Sequence, residues 1–281
     1  MSPDLGTFAP DTRVDLGTDR TGAGAVVRAM AVRNLRGIRR QPATFIPTLI
    51  MPIFFVVAFS GAFGFAGRLF GNGNALSWYA PMAIIQGASF AGMTIGLSTA
   101  RDFETGFMDR YLLAPMSRYT LLGGALAVAL IRGFVTTTCV LLVALVGGVA
   151  VPGGGLGIVA LYVSALGVSV IAALWGLGLV YRVQNSNVGP VIQVGIFMAI
   201  FLSTAQVPIA AMTGWLASVA RVNPLTNILR MGRAGFVPDQ LLPPEGFGVT
   251  WAEMWPGMVA LAALTVATGV FALRGMRHLT P

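Results

Sequence analysis

Five stretches of this chain run for 20 residues or more without a charged side chain. They are Gln41–Gly67 (27 residues), Leu69–Ala100 (32), Gly133–Tyr181 (49), Val183–Ala220 (38) and Met254–Leu273 (20). A helix crossing a hydrocarbon core of about 30 Å needs roughly 20 apolar residues, so each run can hold a crossing. The longest can hold two, with Val151-Pro-Gly-Gly-Gly155 as the place to turn. The chain therefore reads as an all-α integral membrane protein with six transmembrane helices, at about 43–66, 78–99, 120–149, 156–180, 188–209 and 252–273. Composition agrees: 10% of the 281 residues are charged, whereas a soluble domain carries about 25%.

The charges that remain orient these spans. All 18 basic residues are arginines. With the N-terminus in the cytoplasm, 13 arginines fall inside, 4 fall outside (Arg68, Arg221, Arg230, Arg233), and Arg132 lies within the third span. That asymmetry satisfies the positive-inside rule and puts both termini in the cytoplasm. The net charge of +8 is thus accounted for by topology and does not call for nucleic acid.

Residues 1–24 are rich in Gly, Asp and Thr and read as a disordered cytoplasmic tail; 25–281 read as a single transmembrane domain. The first hydrophobic run is too long for a secretory signal core of roughly 7–15 residues, so no cleavage is expected. Before it, residues 25–41 form an amphipathic pattern. Val26, Val27, Met30, Ala31, Leu35 and Ile38 share one half of a helical wheel, while Arg28, Arg33, Arg36, Arg39 and Arg40 fill the other. This is the pattern of a helix lying in the membrane interface against anionic headgroups. A solvated basic stretch that only sets topology is the competing reading.

Between the second and third spans the apolar text is interrupted by a dense polar segment. It reads Arg101-Asp-Phe-Glu-Thr-Gly-Phe-Met-Asp-Arg110-Tyr-Leu-Leu-Ala-Pro-Met-Ser-Arg118. A helix from Arg101 to Leu113 places Phe103, Phe107 and Tyr111 on one stripe, with Asp102 and Glu104 near its start, Arg110 near its end and Pro115 as its stop. On a cytoplasmic loop such an aromatic stripe has only lipid headgroups or a partner to bury against. Farther on, the partly apolar segment 206–250 is broken by Pro208, Gly214 and Pro224 and predicts short helices in the outer leaflet. Arg132 allows two readings: contact with substrate or a partner subunit, or snorkelling to the inner interface with a bond to a backbone carbonyl.

The spacing Arg101-Asp-x-Glu104-x-Gly106-x-x-x-Arg110-x-Leu112-x-x-Pro115-x-Ser117-Arg118 resembles the signature loop of type-2 ABC exporter permeases of the daunorubicin-resistance group. Trp215-Leu216, Asn223-Pro-Leu-Thr226 and Arg230 are similar to the same family's stretch before its last span. The resemblance implies that Arg101, Asp102, Phe103, Glu104, Gly106, Phe107, Arg110, Tyr111 and Pro115 belong to a coupling helix docked on a separate ATPase. It further implies two permease subunits, identical or homologous, above two ATPase subunits. An amphipathic drug or lipid would move along the permease interface, in a bacterial plasma membrane.

Other chemistries find little support. A P-loop needs a lysine, and the chain has none, so ATP and Mg are expected on the partner. No nucleophile–base pair or metal-ligand spacing exists that would mark a lipid-modifying enzyme; Cys139 and His278 each stand alone. An ion-coupled secondary transporter usually carries Asp, Glu or His inside a span, and no expected span interior has one.

Overall fold

The computed structural model describes residues 42–63, 75–108, 118–237 and 249–277, together with Val32 and Leu279. The expected N-terminal tail and the arginines of the interfacial helix (Arg28, Arg33, Arg36, Arg39, Arg40) lie outside the described residues. Among those described, the regular elements are all helical. They are α1 (Pro42–Phe63), α2 (Ala75–Glu104), α3 (Arg118–Val146), α4 (Gly154–Val183), α5 (Gly189–Phe201), α6 (Trp215–Val222), α7 (Pro224–Arg233) and α8 (Trp251–Met276). Four of them, α2, α3, α4 and α8, are long and apolar enough to cross a membrane.

The helices follow the charge-free runs, and the turn expected at 151–155 is where α3 gives way to α4. Helix α1 covers the first expected span with 22 residues. The fifth expected span, 188–209, is corrected: its helix stops at Phe201 after 13 residues. At 1.5 Å per residue, α5 is about 20 Å long, short of a full crossing. Beyond it the chain turns, and side chains from other elements take carbonyls of that turn, as described below. Short helices do occupy part of 206–250, and their breakers act as the sequence suggests. Gly214 takes a positive φ of 65° ahead of α6, and Pro224 opens α7.

Helix α2 is the axis of the bundle. Tyr79, Ala80, Ala83, Ile84 and Ala88 are fully buried, and α2 packs on α1, α3, α4, α5 and α7. Its most extensive contact is with α4. In lipid no hydrophobic force pulls apolar helices together, so association depends on close packing between small residues. The α2–α4 crossing shows this. A Cβ on Gly96 would meet the Cα of Gly176 at 2.8 Å, and one on Gly92 would run into the Ser169 carbonyl. Ser169 also donates its hydroxyl to the Ala129 carbonyl of α3 at 3.0 Å, joining three helices at one level. Helix α8, by contrast, rests mainly on α4 and α7 and turns Met258, Val259, Val266 and Val270 outward, toward lipid.

Gly96→Ala is therefore expected to lower stability by about 1–3 kcal/mol through overpacking. Gly269→Ala, whose nearest neighbour would be Leu174 Cδ1 at 3.9 Å, should be neutral or slightly stabilising. Thermal unfolding of both variants in detergent, monitored by tryptophan fluorescence, separates these outcomes.

Candidate functional site

The polar segment that interrupts the apolar sequence begins as the end of α2. Arg101 to Glu104 are the last residues of that helix; Thr105 and Gly106 turn, and helical structure resumes at Phe107. The continuous helix expected from Arg101 to Leu113 is thus broken. The cause is Gly106, which adopts φ 66°, the left-handed conformation that commonly closes a helix. Its N–H returns to the Phe103 carbonyl at 3.1 Å, and the Thr105 N–H returns to Arg101 at 3.0 Å. Consequently Phe103 and Phe107 do not continue one stripe. Phe103 packs between the two buried apolar clusters of the bundle, whereas Phe107 is half-buried beyond the turn. Arg101 and Glu104 are exposed, and Asp102 is half-buried. Arg110, Tyr111 and Pro115 lie outside the described residues.

Glu104 has a definite partner. Its Oε1 accepts the N–H of Ser186 at 2.9 Å, in the 3-10 turn Ser186–Val188 between α4 and α5. At the same end of the bundle Arg182, on the last turn of α4, lies over the Phe271 ring at 3.9 Å. It donates to the Phe271 carbonyl at 3.0 Å and to the Gly178 carbonyl. Gly275 leaves room for this guanidinium, because a Cβ there would meet Arg182 Nη1 at 2.9 Å. The signature segment, the α4–α5 turn and the end of α8 are therefore bonded to one frame.

Within the chain, Arg132 has a side-chain partner that the sequence did not point to. It reaches sideways from α3 and donates from Nη1 to Thr94 Oγ1 on α2 at 2.8 Å, while Thr94 donates to Ala91 at 2.7 Å. In this position the guanidinium ties α3 to α2.

At the opposite end sits a residue that the sequence reading counted only as an outer-loop charge. Arg233, the last residue of α7, is 4% exposed. Its guanidinium donates from Nε to the Trp78 carbonyl at 3.2 Å, from Nη1 to Thr204 at 2.7 Å and from Nη2 to Ala205 at 2.8 Å. It also stacks on the Trp78 ring at 3.7 Å. Burial pulls its pKa down from the ordinary arginine range. Two neighbours complete the arrangement. Tyr79 donates its hydroxyl to the Gln206 carbonyl at 2.7 Å, and Asn223 Nδ2 donates to the Ala199 carbonyl at 2.8 Å. The Asn223-Pro-Leu-Thr226 motif thus has a local logic. Asn223 Oδ1 caps α7 by accepting the Leu225 N–H at 3.0 Å, Pro224 starts the helix, and Thr226 Oγ1 bonds Ala220 at 2.6 Å. The available signal for Arg233 was its setting, one charge among Met231, Gly232, Ala234, Gly235, Phe236 and Val237.

Among the described residues no group of three or more His, Cys, Asp or Glu side chains is placed to hold a metal ion. The geometry is one of helix ends held by side chains at both faces of the bundle, with a polar segment leaving its most buried helix.

The family model described as ABC-2 family transporter protein matches residues 70–274. Among curated proteins, the chain is 26% identical to the daunorubicin resistance ABC transporter permease protein DrrB1 of Streptomyces coeruleorubidus, over 73% of this chain and 74% of that protein. It is 26% identical to the putative transport permease ycf38 of Cyanophora paradoxa, over 67% of this chain and 66% of that protein. It is also 26% identical to the probable multidrug ABC transporter permease YbhR of Escherichia coli strain K12, over 68% of this chain and 50% of that protein.

Arg233→Met should destabilise the fold by about 2–4 kcal/mol, since it strands buried carbonyl acceptors that lipid cannot satisfy. Arg233→Lys should recover only part of that, because an ammonium lacks the planar fork. Arg221→Ala, on an exposed arginine, should cost less than about 0.5 kcal/mol. Chemical denaturation of the purified variants in detergent provides the comparison.

Proposed function

We propose that this chain, which belongs to the ABC-2 family of transporter proteins, is the permease subunit of an ATP-driven exporter that moves an amphipathic drug or lipid out of the cell. It is a multi-pass membrane protein, and its relatives are transport permeases. The observation that carries the finer reading is the signature segment's point of departure. It leaves the last turn of α2, the helix against which most of the bundle packs, so force applied to 101–108 acts directly on the core.

The energy comes from a separate ATPase, because a chain without lysine cannot form a P-loop. Two permeases, identical or homologous, stand above two ATPases, and ATP and Mg belong to the latter. Coupling to an ion gradient is disfavoured by the use made of Glu253. This carboxylate, in the first turn of the candidate span Trp251–Met276, is half of a capping box with Thr250. A drug cargo is supported by the names of DrrB1 and YbhR, and a lipid by the apolar character of the spans. The protein resides in a bacterial plasma membrane with both termini in the cytoplasm.

Tagged protein purified from its native host should bring with it a polypeptide that hydrolyses ATP. Phe107→Ala should weaken that association by about tenfold, as loss of an interface anchor does. Recovery of the permease without any ATPase, under conditions that preserve membrane complexes, would count against the reading. Single cysteines at Ser2, Thr213 and Asp239, in a Cys139→Ala background, report topology. A membrane-impermeant thiol reagent on intact cells should label the second and third but not the first.

A further inference from the structure

Helix α5 is lightly held along its length. Its buried stripe consists of Ile192, Ile196 and Ile200, while Val191, Val194 and Met198 are more than half exposed. Between its ends it makes apolar contacts, Gly195 against the Trp175 ring and Phe197 against Phe90, while its polar attachments are at and beyond its ends. The outer end is held by Arg233, Tyr79 and Asn223, and the inner end is reached through the turn after α4. In that turn Gln184 takes φ 56°, a left-handed conformation unusual for a residue with a side chain, and Asn185 is extended at φ −146° and ψ 169°. Asn185 Oδ1 accepts the Asn187 N–H at 3.0 Å. The preceding N–H, that of Ser186, has Glu104 Oε1 as its acceptor, 82 residues away in sequence. Val188 is buried behind this bond, and the next residue, Gly189, begins α5 beside Leu97 of α2.

We propose that Glu104 is a positioning residue that straps the end of α2 to the base of α5, so that movement of the signature segment by a docked ATPase is delivered to α5. This rests on the reading of the chain as a permease driven through residues 101–118. Glu104 sits immediately before the Thr105–Gly106 break. The Thr105 and Gly106 N–H groups bond back to Arg101 and Phe103, so a pull on the segment passes through this turn to the end of α2, where Glu104 is rigid with the helix. The 3-10 turn it caps is continuous with α5, so a shift at the end of α2 carries the base of α5 with it. A carboxylate suits the task because a charge-assisted bond to a backbone N–H is shorter and stronger than a neutral one. One oxygen of its carboxylate is thereby engaged within the chain.

The test separates the strap from docking by removing either of its halves. Ser186→Pro deletes the donor and leaves Glu104 in place. Proline is accepted at the first helical position, and Asn185 already has the extended backbone that a following proline requires. Glu104→Ala deletes the acceptor, and Glu104→Gln keeps an oxygen there. In a Cys139→Ala background, an environment-sensitive fluorophore on Val194→Cys reports the surroundings of α5 in the permease–ATPase complex in nanodiscs. Addition of ATP and Mg should shift its emission. Glu104→Ala and Ser186→Pro should each reduce that shift at least about threefold, the double variant should be no worse, and Glu104→Gln should keep most of it. ATPase retention should match the wild type throughout. An unchanged ATP response in both single variants overturns the strap. Loss of the ATPase in Glu104→Ala, with retention and a normal response in Ser186→Pro, overturns it in favour of a docking contact. Hydrogen exchange on the permease alone is the independent arm: Glu104→Ala should speed exchange of the amides at 186–190, and unchanged exchange overturns the strap. Absence of any ATPase from the wild-type preparation removes the permease reading and the coupling role together, whereas the exchange result still decides whether the bond exists.

Discussion

A helix that ends inside a membrane protein must find donors for its last carbonyls, because lipid supplies none. Helix α5 ends this way at Phe201, and much of the half of the molecule opposite the signature segment is arranged around that end. Asn223 takes the Ala199 carbonyl in the last turn of α5, while in the turn that follows Arg233 takes those of Thr204 and Ala205 and Tyr79 that of Gln206. These donors come from α2 and from the α6–α7 pair, so the requirement of one broken helix draws three parts of the chain together. Arg233 meets the demand best of the available side chains. Its fork satisfies several acceptors at once, its charge strengthens each bond, and its flat face covers Trp78.

The approach of α7 to the bundle depends in turn on residues without side chains. A Cβ on Gly232 would meet Ile85 at 2.7 Å, and one on Gly153 would meet the Cα of Gly235 at 2.5 Å. The Gly153 N–H bonds the Gly235 carbonyl at 2.9 Å, fastening the start of α4 to the turn after α7. Small residues thus set the distances, and the arginine and amide groups then close the polar accounts that those distances open. The same division of labour recurs at the inner end. There Gly178 and Gly275 let α4 and α8 approach, and Arg182 bonds two carbonyls across the contact.

Seen as a mechanical object, the bundle has a stiff centre and a lighter element beside it. Helices α2 and α4 cross at glycines with no slack, and Ser169 and Arg132 bind α3 to the pair. Helix α5 touches this centre through a narrow stripe and is anchored at both ends. In the proposed transport role, a signal received at the signature segment has to reach a part that can move. A helix with an apolar contact along one side and polar ties at its ends is suited to that role.

Much of this architecture was legible in the sequence, and what was missed has a common cause. The long apolar helices could be read because lipid excludes charge, and charge belongs to side chains that the sequence spells out. The signature segment stood out for the same reason, as did Pro224 and Gly214 as breakers. The break at Gly106 was present as a glycine, but the aromatic spacing of Phe103, Phe107 and Tyr111 suggested that the helix ran through it. The early end of α5, the burial of Arg233, the sideways bond of Arg132 and the capping of Ser186 by Glu104 were not legible. Three of these four depend on backbone carbonyls or N–H groups, which are chemically alike at almost every position and leave no mark in the amino-acid text. The other, Arg132 with Thr94, depends on which faces of α2 and α3 meet, and that follows from packing across 38 residues of separation. By itself, then, the sequence determined which segments could enter lipid and where polar work was concentrated, since transfer free energy is a property of each side chain. Only the tertiary structure decided which buried backbone groups went unmet by their own helices and which distant side chains would meet them.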